Sequence, residues 1–516
     1  MGKDPLVLTL DFGTQSVRTA LINKRGETVY FVKKTYEPMY FSNKKGYAEQ
    51  HADFYWEDLL ECLKELCATK PNELSNVIAM TVTTFRDSAV LLDKNYKPLR
   101  PVILWLDQRL AKAEEKLPAI HRFLFKLVGM KDAIDLNRTR TIAHWVKENE
   151  PEIGEKVDKY VNISTYINYK LTGELADSPG GLTGHYPLNY KKRKWYREGA
   201  MKGRIFGVPN RMLPRVVQAG EVIGTLSDDI AEQVGLPKGL KLIASGSDKG
   251  CETIGLGCLT PNVGAISYGT ACTIEVSNPK YHEPEPFLPA YAAAVPNLYN
   301  MDVQIYRGYW MLKWFASEFA SELEKEARLR DVAIEAILDE WLNDVSVGSD
   351  GLILQPYWGP GLARPLAKGA IIGFSNVHTR KHIYRAIVEG IAFALREGLE
   401  SIEKSQRQKV KSLRISGGGS MSDEVCQITA DIFGLEISRV QTIESTSLGA
   451  AIATFTAMKE FKDVHEAVQN MTKFSRTFKP NKENHLLYDK IYHNVYLKMY
   501  PRLKPLNIEI NNIFKR

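Results

Sequence analysis

Several features of exported and membrane proteins are missing from this sequence. Its 516 residues include six cysteines, and none of them forms a CxxC pair or a histidine-containing spacing that would suit zinc. No run of about 18 apolar residues occurs, and no secretory leader is recognisable. These absences argue against a disulfide framework, a zinc module and a membrane span, so we expect a cytoplasmic protein.

A strong charge of one sign is also missing. The sequence has 68 Lys and Arg against 61 Asp and Glu, a net charge of +7, and its basic residues are scattered. A nucleic-acid-binding protein needs a concentrated basic face, so we expect no nucleic-acid partner. The composition is 44% hydrophobic and 25% charged, as in globular proteins. The chain is too long for one ordinary core, and two large domains are predicted.

Short apolar runs alternate with turns in the first hundred residues. Residues 6–10 are almost continuously apolar, which is typical of a strand buried on both faces. The turn at 13–16 separates this run from further strands at 17–22 and 28–36. Apolar residues at helical spacing then cover 54–67.

The same pattern recurs in the second half of the chain. An apolar strand at 265–268 ends at Gly269 and Thr270, and a second strand follows at 274–276. Further on, a strand at 413–416 runs into three glycines, 417–419, and then into an amphipathic helix. The chain therefore contains two hairpin tips made of glycine and a hydroxyl residue, one in each half.

Tips of this composition suit a nucleotide. Glycine lets backbone N–H groups approach phosphate oxygens, hydroxyls add donors, and a nearby carboxylate such as Asp11 can hold a metal ion. The candidate nucleotide-binding residues are Gly13, Thr14, Gln15, Ser16, Gly269, Thr270, Gly418 and Gly419. One such hairpin alone would be ordinary turn chemistry, and three glycines alone could be a flexible connector. Neither a GxxxxGK[ST] loop nor a GxGxxG loop after a first strand is present.

Five segments, in this order, resemble the FGGY family of carbohydrate kinases. They are residues 11–16, 246–248, 268–270, 417–419 and 447–451. The stretch 369–389 is similar to the C-terminal signature of the family, except that Phe374 stands where an aliphatic residue is usual. The resemblance covers nearly the whole chain, from Leu6 to about Phe461.

The resemblance implies an α/β, actin-like ATPase (ribonuclease H-like) fold with two duplicated domains around a deep cleft. Residues 1–255 would form the sugar-binding side and 256–516 the ATP-binding side, with the tail 480–516 unplaced. ATP and Mg²⁺ would be the cofactors, with Asp11 as the carboxylate associated with the metal. The partner would be a small sugar or polyol, and a homodimer is expected.

Asp248 is the predicted general base, because phosphoryl transfer needs a group that accepts the hydroxyl proton. Taken alone, Asp248 could equally cap a helix that begins near Lys249. Its match to the catalytic Asp of the family favours the base. Lys249 is unusual at its position: its ammonium could keep Asp248 ionised, or it could bind an acidic substrate such as an aldonate.

Arg86 and Asp87 are the other candidate substrate-binding residues. The pair resembles the Arg-Glu of glycerol kinase and could share the neighbouring hydroxyls of a polyol, although a surface ion pair is the alternative. Trp105 and Asp107 could line the same pocket or serve packing. His185, by contrast, is interpreted as structural or exposed.

Two other interpretations stay open at this point. Another actin-like ATPase, such as a hexokinase-type or acetate-kinase-type protein, is disfavoured by the segments 246–248 and 447–451. A catalytically silent actin-like nucleotide-binding regulator should lack the base or the metal carboxylate, and here both Asp248 and Asp11 are present.

Overall fold

Two large mixed β-sheets with helices around them form the centre of the molecule, and a four-stranded sheet and three two-stranded sheets accompany them in the described residues. The computed structural model describes residues 4–286, 288–359, 361 and 364–514. In chain order the strands are β1 Leu6–Phe12, β2 Ser16–Asn23, β3 Thr28–Thr35, β4 Glu49–Gln50, β5 Val77–Thr84, β6 Ala89–Leu92, β7 Val102–Ile103, β8 Lys159–Asn162, β9 Ala176–Asp177, β10 Leu188–Asn189, β11 Lys194–Trp195, β12 Arg215–Val216, β13 Val222–Thr225, β14 Lys241–Ile243, β15 Val263–Tyr268, β16 Cys272–Asn278, β17 Tyr291–Ala292, β18 Tyr299–Ile305, β19 Ile353–Gln355, β20 Ala370–Ile372, β21 Ser412–Ser416, β22 Glu436–Val440 and β23 Phe474–Phe478.

Helices connect and cover these strands. They are α1 Ala52–Thr69, α2 Ala119–Leu127, α3 Lys131–Arg140, α4 Ile142–Asn149, α5 Pro151–Gly154, α6 Ile163–Thr172, α7 Met201–Phe206, α8 Asp228–Val234, α9 Asp248–Gly255, α10 Trp310–Phe319, α11 Glu324–Arg330, α12 Ile334–Glu340, α13 Arg380–Gln406, α14 Asp423–Phe433, α15 Ser445–Ala457, α16 Val464–Met471, α17 Lys482–Ile491 and α18 Leu497–Phe514. Within the described residues, no helix is long and apolar enough to cross a membrane.

The two large sheets repeat one topology. Their strand orders are β13-β14-β5-β1-β2-β3 and β17-β18-β16-β15-β21-β22-β23. In each sheet a three-stranded antiparallel meander (β1 to β3, or β15, β16 and β18) lies beside two parallel strands (β5 and β14, or β21 and β22). The antiparallel strands β13, β17 and β23 extend the edges of this shared five-stranded part. The expected duplication is confirmed, and each sheet is larger than five strands. We call each sheet with its helices a lobe.

Strand β1 is buried along its whole length, as its apolar run predicts. Leu6, Leu8 and Leu10 pack in one hydrophobic cluster with residues of α1, whereas Val7 packs in another cluster with residues of α15. Successive side chains of a strand point to opposite faces, so a helix on each face requires apolar residues at every position. Helix α1 buries the predicted face, including Trp56.

Helices α9 and α15 hold equivalent places in the two lobes and pack directly against each other. Helix α9 follows β14, and α15 follows β22. A Cβ atom at Gly255 would lie 1.9 Å from the carbonyl oxygen of Ser445, and one at Gly449 would lie 1.8 Å from that of Cys251. These distances are far shorter than any real carbon contact, so the two backbones can touch only because glycine occupies both positions.

The tail that the sequence left unplaced is largely helical in its described part, residues 480–514. It consists of α17, a π-helical turn at Tyr492–Tyr496, and α18. Tyr488, Tyr492 and Tyr496 are buried, and their rings lie between 5.2 and 6.0 Å from that of Phe393 on α13. The tail is therefore part of the core of the second lobe.

Candidate active site

A cleft of about 1700 Å³ lies between the two lobes. Every residue that the sequence predicted for nucleotide, metal or substrate lines this cleft, although these residues come from five separate segments of the chain. The structure therefore brings the predicted set together, and the contacts of each side chain indicate what it can do there.

The first hairpin tip is the turn between β1 and β2. The backbone N–H of Gly13 donates to the carbonyl oxygen of Ser16 at 2.9 Å and closes the turn. Trp105 donates from Nε1 to the hydroxyl of Thr14 at 3.1 Å, so Trp105 helps to hold the tip. Asp107 has a structural position instead, because its carboxylate accepts hydrogen bonds from Arg109 and from the backbone of Ala48, both at 2.7 Å.

The second hairpin tip, between β15 and β16, faces the first. Gln15 Nε2 donates to the hydroxyl of Thr270 at 3.4 Å, which joins the two tips across the cleft. The carbonyl oxygen of Gly269 accepts from the backbone N–H of Tyr309 at 3.1 Å, and this bond anchors the tip to the segment after β18. The two glycine and hydroxyl tips thus meet at one point in the cleft.

Asp11 lies at the end of β1, directly behind the first tip. Its side chain is 1% exposed, and its Oδ2 accepts from Arg18 Nη1 at 3.0 Å. Its Oδ1 is buried and has no hydrogen-bond partner. Burial raises the pKa of Asp11, since the charge of Arg18 offsets the loss of solvent only in part. Oδ1 is therefore an acceptor without a partner, as a metal ion or a metal-bound water would require.

The glycine triplet follows β21 and precedes α14. Gly417 has a φ of +86°, and a Cβ there would lie 2.6 Å from the carbonyl oxygen of Tyr268. A Cβ at Gly419 would lie 2.2 Å from the ring of Tyr309, whereas one at Gly418 would meet nothing within 4 Å. Gly417 and Gly419 are thus required for packing, and Gly418 presents open backbone to the cleft. Ser422 caps α14 by accepting from the N–H of Val425 at 3.2 Å.

Asp248 is the first residue of α9. The N-cap of this helix is Ser247, whose hydroxyl accepts from the N–H of Gly250 at 3.4 Å, so the capping interpretation of Asp248 is wrong. The backbone N–H of Lys249 donates to Asp248 Oδ1 at 2.8 Å, and Thr446 of α15 donates to the Asp248 carbonyl oxygen at 3.4 Å. Burial raises the pKa of Asp248, and the charges of Lys249 and Arg86 counteract it only in part.

Lys249 points from α9 towards the second tip. Its ammonium donates to Glu252 Oε2 at 2.7 Å and to the hydroxyl of Ser267, on β15, at 2.6 Å. Burial by itself disfavours the charge of Lys249, but the carboxylates of Glu252 and Asp248 outweigh it and raise the pKa of the ammonium. Lys249 therefore stays protonated and already has one carboxylate partner.

Arg86 bridges the two lobes. It follows β5 in the first lobe, and its Nη1 lies 2.6 Å from Asp302 Oδ2 on β18 of the second lobe. The two side chains are 14% and 4% exposed, and Arg86 Nη2 has no hydrogen-bond partner. Burial opposes the charge of Arg86, but Asp302 and then Glu275 outweigh it and raise the pKa of the guanidinium. Asp302 is a residue of this site that sequence patterns did not identify.

Asp87 pairs with His185 and not with Arg86. The ring Nδ1 of His185 lies 2.8 Å from Asp87 Oδ2, and the backbone N–H of His185 donates to Oδ1 at 3.0 Å. Burial would raise the pKa of Asp87, but the charge and hydrogen bonds of His185 lower it overall. A Cβ at Gly184 would lie 2.4 Å from Asp87 Oδ1, so a glycine must precede this histidine. His185 lies in the cleft wall. No motif in the sequence around His185 had indicated this position.

Known proteins are similar to this chain in sequence and in fold. Residues 6–255 match the N-terminal domain, and residues 264–458 the C-terminal domain, of the FGGY family of carbohydrate kinases. A xylulose kinase of Lactococcus lactis is 28% identical over 512 residues, which are 98% of each chain.

Two solved structures show the same architecture. A xylulose kinase and a gluconate kinase, both from Lactobacillus acidophilus, each superpose with a TM-score of 0.80 at 22% identity. In each case the match covers 97% of this chain and 98% of the other. The predicted actin-like α/β fold with two duplicated halves around a cleft is confirmed.

Proposed function

The chain belongs to the FGGY family of carbohydrate kinases and is an ATP-dependent carbohydrate kinase, and from this premise we propose that Asp248 is the general base of its phosphoryl transfer. The observation that carries the proposal is the convergence of the two tips, joined by Gln15 and Thr270, beside the carboxylate that begins α9. The silent-regulator alternative is not favoured.

The proposed reaction is an in-line displacement. Asp248 accepts the proton of the substrate hydroxyl as its oxygen bonds to the terminal phosphorus, and the bond from that phosphorus to the bridging oxygen breaks, so ADP leaves with the electron pair. The tips at Gly13–Thr14 and Gly269–Thr270 hold the phosphates by backbone and hydroxyl donors. Gly418 and Gly419 lie on the nucleoside side.

Mg²⁺ fits the site through Asp11. Among the described residues no cluster of three or more His, Cys, Asp or Glu could hold a metal by itself. Magnesium in kinases, however, is commonly held by one or two carboxylates together with substrate phosphates and water. The unpartnered Oδ1 of Asp11 supplies such a ligand, directly or through water. When bound, the ion would neutralise charge on the phosphate oxygens.

The substrate end of the cleft carries Arg86 and Asp87, and we propose that they bind hydroxyls of the sugar or polyol. Arg86 keeps Nη2 free of protein partners, while His185 holds the carboxylate of Asp87 in place. Relatives with the same fold are named for a ketose and for a sugar acid, so the fold does not set the substrate. The pairing of Lys249 with Glu252 weakens its interpretation as a binder of acidic substrates.

The remaining assignments are predictions of the same kind. A boundary between residues 255 and 256 would divide the sugar side from the ATP side, and the separation of the two large sheets supports it. A cytoplasmic location is supported by the six cysteines, which are free and buried. A homodimer is expected from the family alone.

A panel of polyols, ketoses and aldonates in an ATP-coupled assay identifies the substrate. With that substrate, Asp248→Asn should lower kcat by about 10²-fold or more, since loss of a general base typically costs that much, and ADP should still bind. Asp228 offers a matched control, because it is exposed and is also the first residue of a helix with a serine at its N-cap position. Asp228→Asn should leave kcat unchanged. A near-normal kcat in Asp248→Asn would refute the assignment of the base.

A further inference from the structure

Lys249 follows Asp248 in the chain, but its ammonium lies beside the second tip. Its ammonium donates to Ser267, two residues before Gly269 on the strand that carries the second tip. The same nitrogen lies 3.9 Å from the position that a Cβ of Gly269 would occupy. The side chain therefore runs from the start of α9 to the base of the second tip.

The ammonium can make one more contact. A lysine has three N–H donors, and Glu252 and Ser267 take two of them. The side chain is 17% exposed and forms part of the cleft wall. The carboxylates of Glu252 and Asp248 raise its pKa, so the third donor belongs to a charged group. A charged donor that faces the cleft beside a phosphate-binding tip suits an anionic oxygen.

The transferred phosphoryl group must pass through this space. In the proposed reaction it lies between the tips, which hold the nucleotide, and the hydroxyl whose proton Asp248 accepts. Lys249 follows Asp248 in the chain and reaches the second tip with its ammonium, so it spans the gap between these two groups.

We propose that the Lys249 ammonium contacts the terminal phosphoryl group of bound ATP and neutralises the charge on its oxygens during transfer. This inference rests on the proposed function and replaces the expectation that Lys249 binds the sugar. Lys249 keeps its proton throughout: the substrate proton goes to Asp248, and the electron pair of the broken bond leaves with ADP. Its partners Glu252 and Ser267 hold the ammonium in position before the nucleotide binds.

The test compares two nucleotides that differ in the terminal phosphate. Affinities for ADP and for the non-hydrolysable analogue AMPPNP are measured by calorimetry on the full chain, with kcat and the sugar KM alongside. For Lys249→Met we expect AMPPNP affinity to fall by about tenfold or more, the value of one charge-assisted hydrogen bond, and ADP affinity to change by less than about twofold. We expect kcat to fall by about 10² to 10³-fold, as for other preorganised donors to developing charge.

Two further variants separate this role from a structural one. Lys249→Met leaves the carboxylate of Glu252 buried without its partner, which could by itself distort the site. The double variant Lys249→Met/Glu252→Met removes both charges and should keep the loss of AMPPNP affinity and of kcat. Lys241→Met, a lysine to methionine change at an exposed strand end, is the matched control and should behave as wild type.

Three outcomes would overturn the proposal. Equal weakening of ADP and AMPPNP would make Lys249 a general support of the tip. A raised sugar KM with kcat retained would make it a substrate residue. Recovery of kcat in the double variant would assign the defect to the unpaired Glu252. The proposed function is tested separately: it fails if the wild type phosphorylates no substrate of the panel or if Asp248→Asn is fully active. In either case the affinities for ADP and AMPPNP still show whether Lys249 contacts the terminal phosphate.

Discussion

The contact between α9 and α15 predicts that one methyl group at a residue outside the cleft wall should impair catalysis. In Gly449→Ala the new Cβ would lie 1.8 Å from the carbonyl oxygen of Cys251 and 2.6 Å from the backbone nitrogen of Gly255. Both clashing atoms belong to the backbone of α9, so no side-chain rotation can relieve them. The two helices must separate.

The size of the effect follows from these distances. To reach an ordinary contact of 3.4 Å from 1.8 Å, the helices must move apart by roughly 1.6 Å. Overpacking a core typically costs about 1–3 kcal/mol, and a backbone-to-backbone clash should be at the upper end. For lobes of this size, about 3 kcal/mol lowers Tm by roughly 6–12 °C. Asp248 begins α9 one turn before Cys251, and a displacement of about 1 Å can cost 10²-fold in kcat.

The assay is a thermal melt together with kcat at 25 °C for Gly449→Ala and Gly250→Ala. Gly250 lies in α9 as well, but its Cβ would meet Ser247 and Asn300 at ordinary distances of 3.6 and 3.9 Å. Gly250→Ala should therefore keep kcat and gain about 0.5–1 kcal/mol, because alanine favours a helix more than glycine does. Wild-type Tm and kcat in Gly449→Ala would refute the reasoning.

Two further predictions concern the cleft and the tail. Burial raises the pKa of Asp248, and Arg86 is one of two cations that lower it, so Arg86→Met should raise that pKa further and move the acid limb of the kcat/KM profile to higher pH. An acid limb at the same pH or at a lower pH would contradict the electrostatic coupling between Arg86 and Asp248. Tyr492→Ala should cost about 3–5 kcal/mol in a urea melt, because it removes a buried ring from the core of the second lobe. Tyr492→Phe, which keeps the ring, should lose far less, and kcat should stay normal in both; equal losses in the two variants would show that the ring packing is not the cause.

Local patterns identified most of the elements that hold the site. The apolar run at 6–10 became β1, and the strand expected at 265–268 became the end of β15, because apolar runs and turn residues report directly on the neighbouring backbone. The strand expected at 274–276 is only the middle of β16, which begins at Cys272 and ends at Asn278. Helix α18 was missed because Pro501 and Pro505 lie inside it, and prolines normally argue against a helix.

The site itself was predictable only as a set of residues. The turn chemistry of Gly13 and Gly269 pointed to phosphate, but nothing local to Arg86 indicates that its partner is Asp302, 216 positions away. The pairing of Asp87 with His185 is likewise a tertiary contact between segments 98 positions apart. Sequence spacing carries no information on such pairs, so the charge network of the cleft had to come from the structure.

The two glycine crossings of α9 and α15 also bear on how the lobes can part. Backbone lies directly on backbone at these crossings, while apolar side chains of both helices pack together beside them, so the crossing fixes the spacing of the helices and is the pivot about which they would rotate. At the far side of the cleft one 3.4 Å hydrogen bond, from Gln15 to Thr270, joins the tips. Rotation about the crossing would separate the tips and would also have to break the ion pair of Arg86 and Asp302 between the lobes, whereas Asp248, one turn from the pivot, would shift least. The cleft would then open for the nucleotide while Asp248, the proposed proton acceptor, keeps its position.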